Sequence, residues 1–359
     1  MNLHSIKMYI FSFFYRLIRS FIKNLTSLFQ FFTFQQKDLE SIIDFGDKGL
    51  IQINNNIGNF AFDFPVNDNI GVNVFDMHFK SPLVSASFKS EKEILEIWLK
   101  LGLGGVTYKT ILKEKRTGNI RPRLQQLRLE RSACLINALG LPGEGVDNFV
   151  KYLNDSPLGA YGCPIGISIG GEDINEYKYN FTEIHSGIEN NKSKNYYYEL
   201  NISCPNTDSG TCIGDDLNSL ENLTDFIRIK TNTVISIKIS PDWDNSRLMD
   251  IGDIIRSRKN IFVNAGNTQF KSLDSLGYRT NLLNKGSGGI SGVALLPRTL
   301  EMTRLFHKQN VIVMATGGIS TYEHVLAAKE AGASLFGMAT SLIMDPYCIP
   351  KINYSLSTS

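Results

Sequence analysis

Val311-Ile312-Val313-Met314-Ala315-Thr316-Gly317-Gly318-Ile319-Ser320 is the stretch that decides the fold. Its first six residues are apolar or β-branched, as in a strand buried on both faces. The run breaks at Gly317-Gly318, and Tyr322–Ala331 then carries a helical pattern. A second strand, Leu335–Met338, follows and ends in its own small-residue turn, Gly337-Met338-Ala339-Thr340. Working back from there, the same unit recurs. Strands are predicted at Leu83–Ser87, Gly105–Lys109, Ile165–Ile169, Tyr198–Ile202, Val234–Ile239 and Ile261–Asn264. Helical stretches such as Glu91–Leu101, Leu217–Ile229, Leu248–Arg256 and Arg298–Phe306 fall between strands. Eight units at roughly 30-residue spacing predict a closed (β/α)8 TIM barrel over residues 81–359. A doubly wound open sheet is the alternative. It calls for a glycine fingerprint after the first strand, and Ser85-Ala86-Ser87-Phe88 supplies none.

The 359 residues are 42% apolar and 20% charged, which suits a globular chain with a real core. A net charge of +2 leaves no footprint for nucleic acid. The five cysteines, at 134, 163, 204, 212 and 348, form no CxxC pair. That scatter argues against a disulfide framework, a zinc site or an iron–sulfur cluster, so no metal is expected and a reducing compartment is.

Residues 1–34 stand apart. They are dense in Phe, their charges (Lys7, Arg16, Arg19 and Lys23) are all basic, and no acid precedes Asp38. Arg16, Arg19 and Lys23 align with Ser12, Ser27 and Gln30 in one polar stripe of a helix, opposite a wide apolar face. There is no run of about 20 apolar residues, so a spanning helix is disfavoured. The pattern predicts a helix in a membrane interface, its cations near anionic head groups. The protein would then sit on a membrane facing a reducing compartment, on the cytoplasmic side, or in mitochondria if the segment is a targeting peptide. Residues 35–80 read as a connector with a short β-hairpin, its strands near Gly49–Ile53 and Phe60–Phe64 and its turn at Asn54-Asn55-Asn56.

In such a barrel the chemistry sits at the C-terminal ends of the strands. The fourth strand delivers Glu199-Leu200-Asn201-Ile202-Ser203-Cys204-Pro205-Asn206. There a thiol lies between two amides that can donate to and accept from a flat ligand. This octapeptide resembles the active-site loop of the dihydroorotate dehydrogenase family. Class 1 members carry Cys at this place and class 2 members Ser, while Thr207 is more like class 2. Lys109, followed by Lys115-Arg116-Thr117-Gly118-Asn119, resembles the family's second loop. Asn137-Ala138-Leu139-Gly140-Leu141-Pro142 is similar to its substrate segment, and Asn267 with Thr268 to its substrate-binding pair. Lys238, flanked by Ile237 and Ile239, matches the family's lysine beside the flavin.

The resemblance covers roughly residues 80–345. It implies oxidation of (S)-dihydroorotate to orotate in pyrimidine biosynthesis, with hydride transfer to FMN and Cys204 as base. Asn137, Leu139, Gly140, Leu141, Asn201, Asn206, Asn267 and Thr268 would hold the substrate. Ala86, Ser87, Lys109, Lys238, Gly289, Gly292, Gly317, Gly318, Ala339 and Thr340 would hold FMN. Three glycine clusters in the later units suit a phosphate cradle, since glycine lets backbone N–H groups approach closely. Two departures stand out. Phe88 replaces the class 1 glycine after Ala-Ser and threatens to crowd the flavin. The N-terminal segment is similar to the membrane-associated extension of class 2. The acceptor therefore stays open between quinone, fumarate and NAD through a partner subunit, with a lean to quinone. A homodimer is compatible with this reading. A dihydropyrimidine dehydrogenase-like enzyme and a non-catalytic flavin-binding barrel are the alternatives.

Overall fold

The computed structural model describes residues 3–34, 36–129, 132–154, 156–189, 195–203 and 213–359. Eight parallel strands pair in sequence order: Leu83–Ser85, Val106–Ile111, Ile165–Ile169, Tyr196–Asn201, Ile235–Lys238, Ile261–Ala265, Val313–Thr316 and Leu335–Met338. The eighth pairs with the first, and a bridge between Val84 and Gly105 joins the first to the second, closing the barrel. The apolar runs of the sequence are these strands, with ends moved by one or two residues. Side chains alternate as period two requires. On the fourth strand, Tyr198 and Leu200 face the surrounding helices, while Tyr197 packs inside with Phe79, Val84, Phe262 and Met314.

The connector departs from expectation. Gly49–Ile53 and Phe60–Phe64 are not strands. A helix, α2 (Glu40–Phe62), runs through most of both, with non-helical backbone at Ile57. The Asn residues read as a turn are helical, and Asn56 donates to the carbonyl of Gln52. What wins is helical spacing: Ile42, Leu50, Ile51, Ala61 and Phe62 fall where they pack on neighbouring elements. The real hairpin pairs Val72–Val74 with Met77–Phe79, and Val74, Met77 and Phe79 plug the barrel interior.

A four-stranded antiparallel sheet was not foreseen. Its order is Gln269–Ser272, Ser287–Gly292, Ser132–Asn137, Leu124–Leu129. Its strands come from the excursions after the second and sixth barrel strands, both at the C-terminal mouth. Gly289 and Gly292 therefore lie on a roof strand. One face has its own apolar core around Cys134, Ile136 and Ile290. Leu124 and Leu135 meet Leu39 and Ile42 at the start of α2, and Ile22 of the preceding helix, α1 (Leu3–Phe32).

α1 is a helix as expected, but it lies the other way round. Ser12 and Gln30 are buried against the protein. Arg19 and Lys23 both donate to the Gln126 side chain at 3.2 Å. Ser12 donates to Asp345 at 2.6 Å. Most of the polar stripe thus faces the protein, while Phe13, Phe14, Leu17, Ile18, Phe21 and Phe29 stay exposed. Cations arrayed toward head groups are not what the helix presents. Among the described residues, no helix is long and apolar enough to cross a membrane.

Candidate active site

Nineteen residues are singled out above, and two of them, Cys204 and Asn206, lie outside the described residues. The remaining seventeen all line one cavity of about 990 Å³ at the barrel mouth, roofed by the antiparallel sheet. Ser203, next to Cys204, lines it as well. Residues far apart in sequence meet there because strand ends converge by construction.

The floor is polar and ordered. Asn201 donates its amide to Thr110 Oγ1 at 2.8 Å, and Thr110 bonds Ser168 at 3.0 Å. Asn267 donates to Ser203 Oγ at 3.0 Å, and its own oxygen accepts the Thr268 N–H at 2.8 Å. These amides are fixed by neighbours, so their free edges have defined directions. Lys238 is 6% exposed and donates to Ser87 Oγ at 2.9 Å. Asn137 ends a strand of the roof and donates to the Gly289 carbonyl at 3.2 Å. Gly140 and Leu141 after it have φ of 73° and 51°, a tight left-handed turn.

Thr316 and Gly317-Gly318 form the glycine end of the cavity. Gly317 has φ of 136°, and a Cβ there would come within 2.5 Å of Thr299 Oγ1, so no side chain fits. Among the described residues, the buried Thr316 hydroxyl has no hydrogen-bond partner although it lines the cavity. A buried polar group of this kind calls for a ligand. Thr340 donates to Ser291 at 2.8 Å, tying the last barrel strand to the roof.

Lys109 occupies the junction with a second cavity of about 880 Å³, between the barrel mouth, the roof and the start of α2. Burial pushes its amine down from 10.5 to about 8. Ile43, Ile111, Leu112, Leu124, Leu135, Leu139 and Ile343 give this cavity apolar walls. Arg123 holds α2 over it with two hydrogen bonds of 2.7 Å to Glu40, and donates also to the carbonyls of Thr117 and Asn119. Phe88 does not fill the first cavity. It stacks on Trp98, centroids 5.2 Å apart, and lines both cavities at their junction.

Thr110, Ser203, Ser291, Thr316 and Trp243 also line the site; none is assigned to it from the sequence, although Ser203 and Thr316 stand in the quoted stretches. Thr110 lies past the expected end of the second strand, which runs on through a register shift to Ile111.

A protein-family model described as dihydroorotate dehydrogenase matches residues 69–359. The catalytic subunit of dihydroorotate dehydrogenase B (NAD(+)) from Malacoplasma penetrans is 30% identical over 292 residues, 80% of this chain and 91% of that one. A dihydroorotate dehydrogenase (quinone) from Christiangramia forsetii is 29% identical over 297 residues, 79% of this chain and 83% of its own. In fold, the chain is similar to the ligand-free DHODH of Eimeria tenella, with a TM-score of 0.71 and 21% identity, covering 86% of this chain and 92% of that one.

Proposed function

The chain belongs to the dihydroorotate dehydrogenase family, and from that premise we propose how its site divides the work: FMN in the large cavity, dihydroorotate against the Cys204 loop, and a quinone-type acceptor in the second cavity. The family assignment carries with it oxidation of dihydroorotate in pyrimidine biosynthesis. The observation that carries the rest is the convergence of two lysines, a set of fixed amides and a glycine turn on one cavity.

The residues fit FMN. Gly317, Gly318 and Gly292, with the unpartnered Thr316 hydroxyl, would take the phosphate end. Ala86, Ser87 and Lys238 would lie along the ring. FMN, when bound, supplies the two-electron acceptor for the substrate. Asn137, Asn201 and Asn267 would hold the pyrimidine by its amide edges and carboxylate, which supplies positioning worth several kcal/mol. Lys109, a cation aimed into the cavity, answers the charge of the substrate carboxylate. Cys204 would take the proton from the substrate ring, and a thiol of ordinary pKa, about 8.5, is only a few per cent thiolate at neutral pH.

The acceptor is read from the second cavity. Its apolar walls and its place under α2 suit a quinone ring, and it adjoins the first cavity at Phe88 and Lys109. The exposed apolar face of α1 would rest on a membrane surface from which a quinone is drawn. The test removes residues 1–34 and compares turnover with a short-chain quinone, fumarate and NAD. Loss of quinone turnover, with dihydroorotate still bleaching the flavin absorbance, is expected. Unchanged quinone turnover defeats the membrane reading. Bleaching by dihydrouracil in place of dihydroorotate would move the chain to the dihydropyrimidine class.

A further inference from the structure

Glu199 is a fully buried acid on the fourth barrel strand. Tyr197, Glu199 and Asn201 share its inward face. Tyr197 lies in the interior core and Asn201 lines the cavity. Glu199 therefore sits one layer below the floor, and it does not line the cavity itself. Its Oε1 accepts the Ser87 hydroxyl at 2.6 Å, and its Oε2 accepts the Asn264 amide at 2.7 Å. Taken as a carboxylate, Glu199 accepts at both oxygens. Among the described residues no Lys or Arg lies within ion-pairing distance of it. A buried carboxylate without a counter-charge is strongly disfavoured.

Its counter-charge stands one hydroxyl away. Lys238 donates to Ser87 at 2.9 Å. An ammonium can only donate, so the single Ser87 hydrogen must go on to Glu199. The chain runs one way, from Lys238 through Ser87 to Glu199. The Ser87 hydroxyl cannot rotate without giving up its charged acceptor, so its lone pairs stay turned to Lys238.

We propose that Glu199 is a positioning residue that, through Ser87, fixes the Lys238 ammonium at the cavity floor and balances its charge. This rests on the reading of the cavity as an FMN site. Without Glu199 the ammonium is uncompensated. Its hold through Ser87 is gone, the ammonium swings toward solvent, and positive charge beside the place the cofactor's ring would take is lost.

Glu199→Gln removes the charge and keeps the shape. Its amide can donate to Asn264 Oδ1, which is buried and unpartnered among the described residues, once Asn264 turns over. Ser87→Ala breaks the relay while leaving both charges, and it serves if Glu199→Gln does not fold. The readouts are the reduction potential of the bound flavin and the rate at which dihydroorotate bleaches it, at matched flavin content. Both variants should lower the potential and slow bleaching severalfold. The double variant should be no worse than the worse single one, as for residues acting as a unit. A potential that is unchanged or raised in Glu199→Gln overturns the proposal, as do effects that add in the double variant. A wild-type chain that takes up no flavin overturns the cofactor reading and this inference together, so the two failures are distinct.

Discussion

Replacing Lys109 with Met tests whether the cavity is built around an absent anion. Burial pushes the amine from 10.5 to about 8, ahead of the opposing pull of Glu91. At about 1.4 kcal/mol per unit, holding the proton at neutral pH costs about 3 kcal/mol, an upper bound because water enters the cavity. The native amine loses its proton near 8 and the unfolded one near 10.5. Between those values the unfolded state binds more protons, so stability rises with pH. Below 8 the full penalty is present, and above 10.5 it is gone. Flavin-free Lys109→Met should therefore exceed the flavin-free wild type by up to about 3 kcal/mol at pH 7, with the gap closing toward pH 10.5. Urea unfolding of both proteins at intervals across that range measures it. The same substitution should weaken orotate binding to the flavin-loaded protein, since the cation is gone. A gap that does not vary with pH, or a variant less stable at pH 7, refutes the reasoning.

Cys204→Ala should retain FMN yet lose most of the rate of flavin bleaching by dihydroorotate. In the wild type that rate should climb with pH through the thiol titration near 8.5; a flat profile from pH 6 to 9 would remove Cys204 as the base. Gly317→Ala forces a Cβ to within 2.5 Å of Thr299 Oγ1 at φ of 136°. It should cost about 1–3 kcal/mol of stability and most FMN affinity, read by flavin fluorescence on dialysis. For Glu40, burial pushes the carboxyl up, and hydrogen bonds from Arg123 and Arg121 outweigh it and hold it below 4.5. Its contribution is present above 4.5 and lost as the pH falls below it. Glu40→Gln should lower the denaturation midpoint, by an amount corresponding to about 2–4 kcal/mol, and raise the KM for the acceptor alone.

The barrel was legible because each strand is a short apolar run followed by a helical pattern, and such runs state their own period. The site was legible where a residue type is improbable on a buried strand, as with Lys238 between two isoleucines. It was less legible where a roof strand delivers the residue. Asn137 and Gly289 pair across the antiparallel sheet, 152 positions apart, and no local pattern records that register. The helix at Glu40–Phe62 failed for a related reason. Three Asn residues favour turns intrinsically, but here tertiary packing decides, and Asn54 Oδ1 accepts from Lys100 at 2.9 Å in a neighbouring helix.

The first helix shows what a hydrophobic pattern leaves out. Periodicity states that two faces exist and says nothing of which one turns inward. The surface it meets decides that. Around α1 the segment after the last barrel strand offers Asp345 and the roof sheet offers Gln126, and these take Ser12, Arg19 and Lys23. Lys7 donates to the Asp63 carbonyl at 2.9 Å, and Gln30 to the Asp38 carbonyl at 3.3 Å. Most of the polar face is thereby used up, and the apolar one is left outward. Phe13, Leu17, Phe21 and Phe29 are each more than half exposed. Burying a side chain of this size is worth about 1.5–3 kcal/mol, so a continuous stripe facing water is strongly unfavourable. An apolar medium on that face removes the penalty, while the hydrogen bonds beneath keep α1 on the barrel. A basic face turned outward would need anionic lipid and weaken with salt; an apolar face turned outward should bind neutral vesicles and keep its hold at high ionic strength. Release from neutral vesicles by salt would mean that the helix turns over at the surface, and that the contacts to Asp345 and Gln126 do not survive docking.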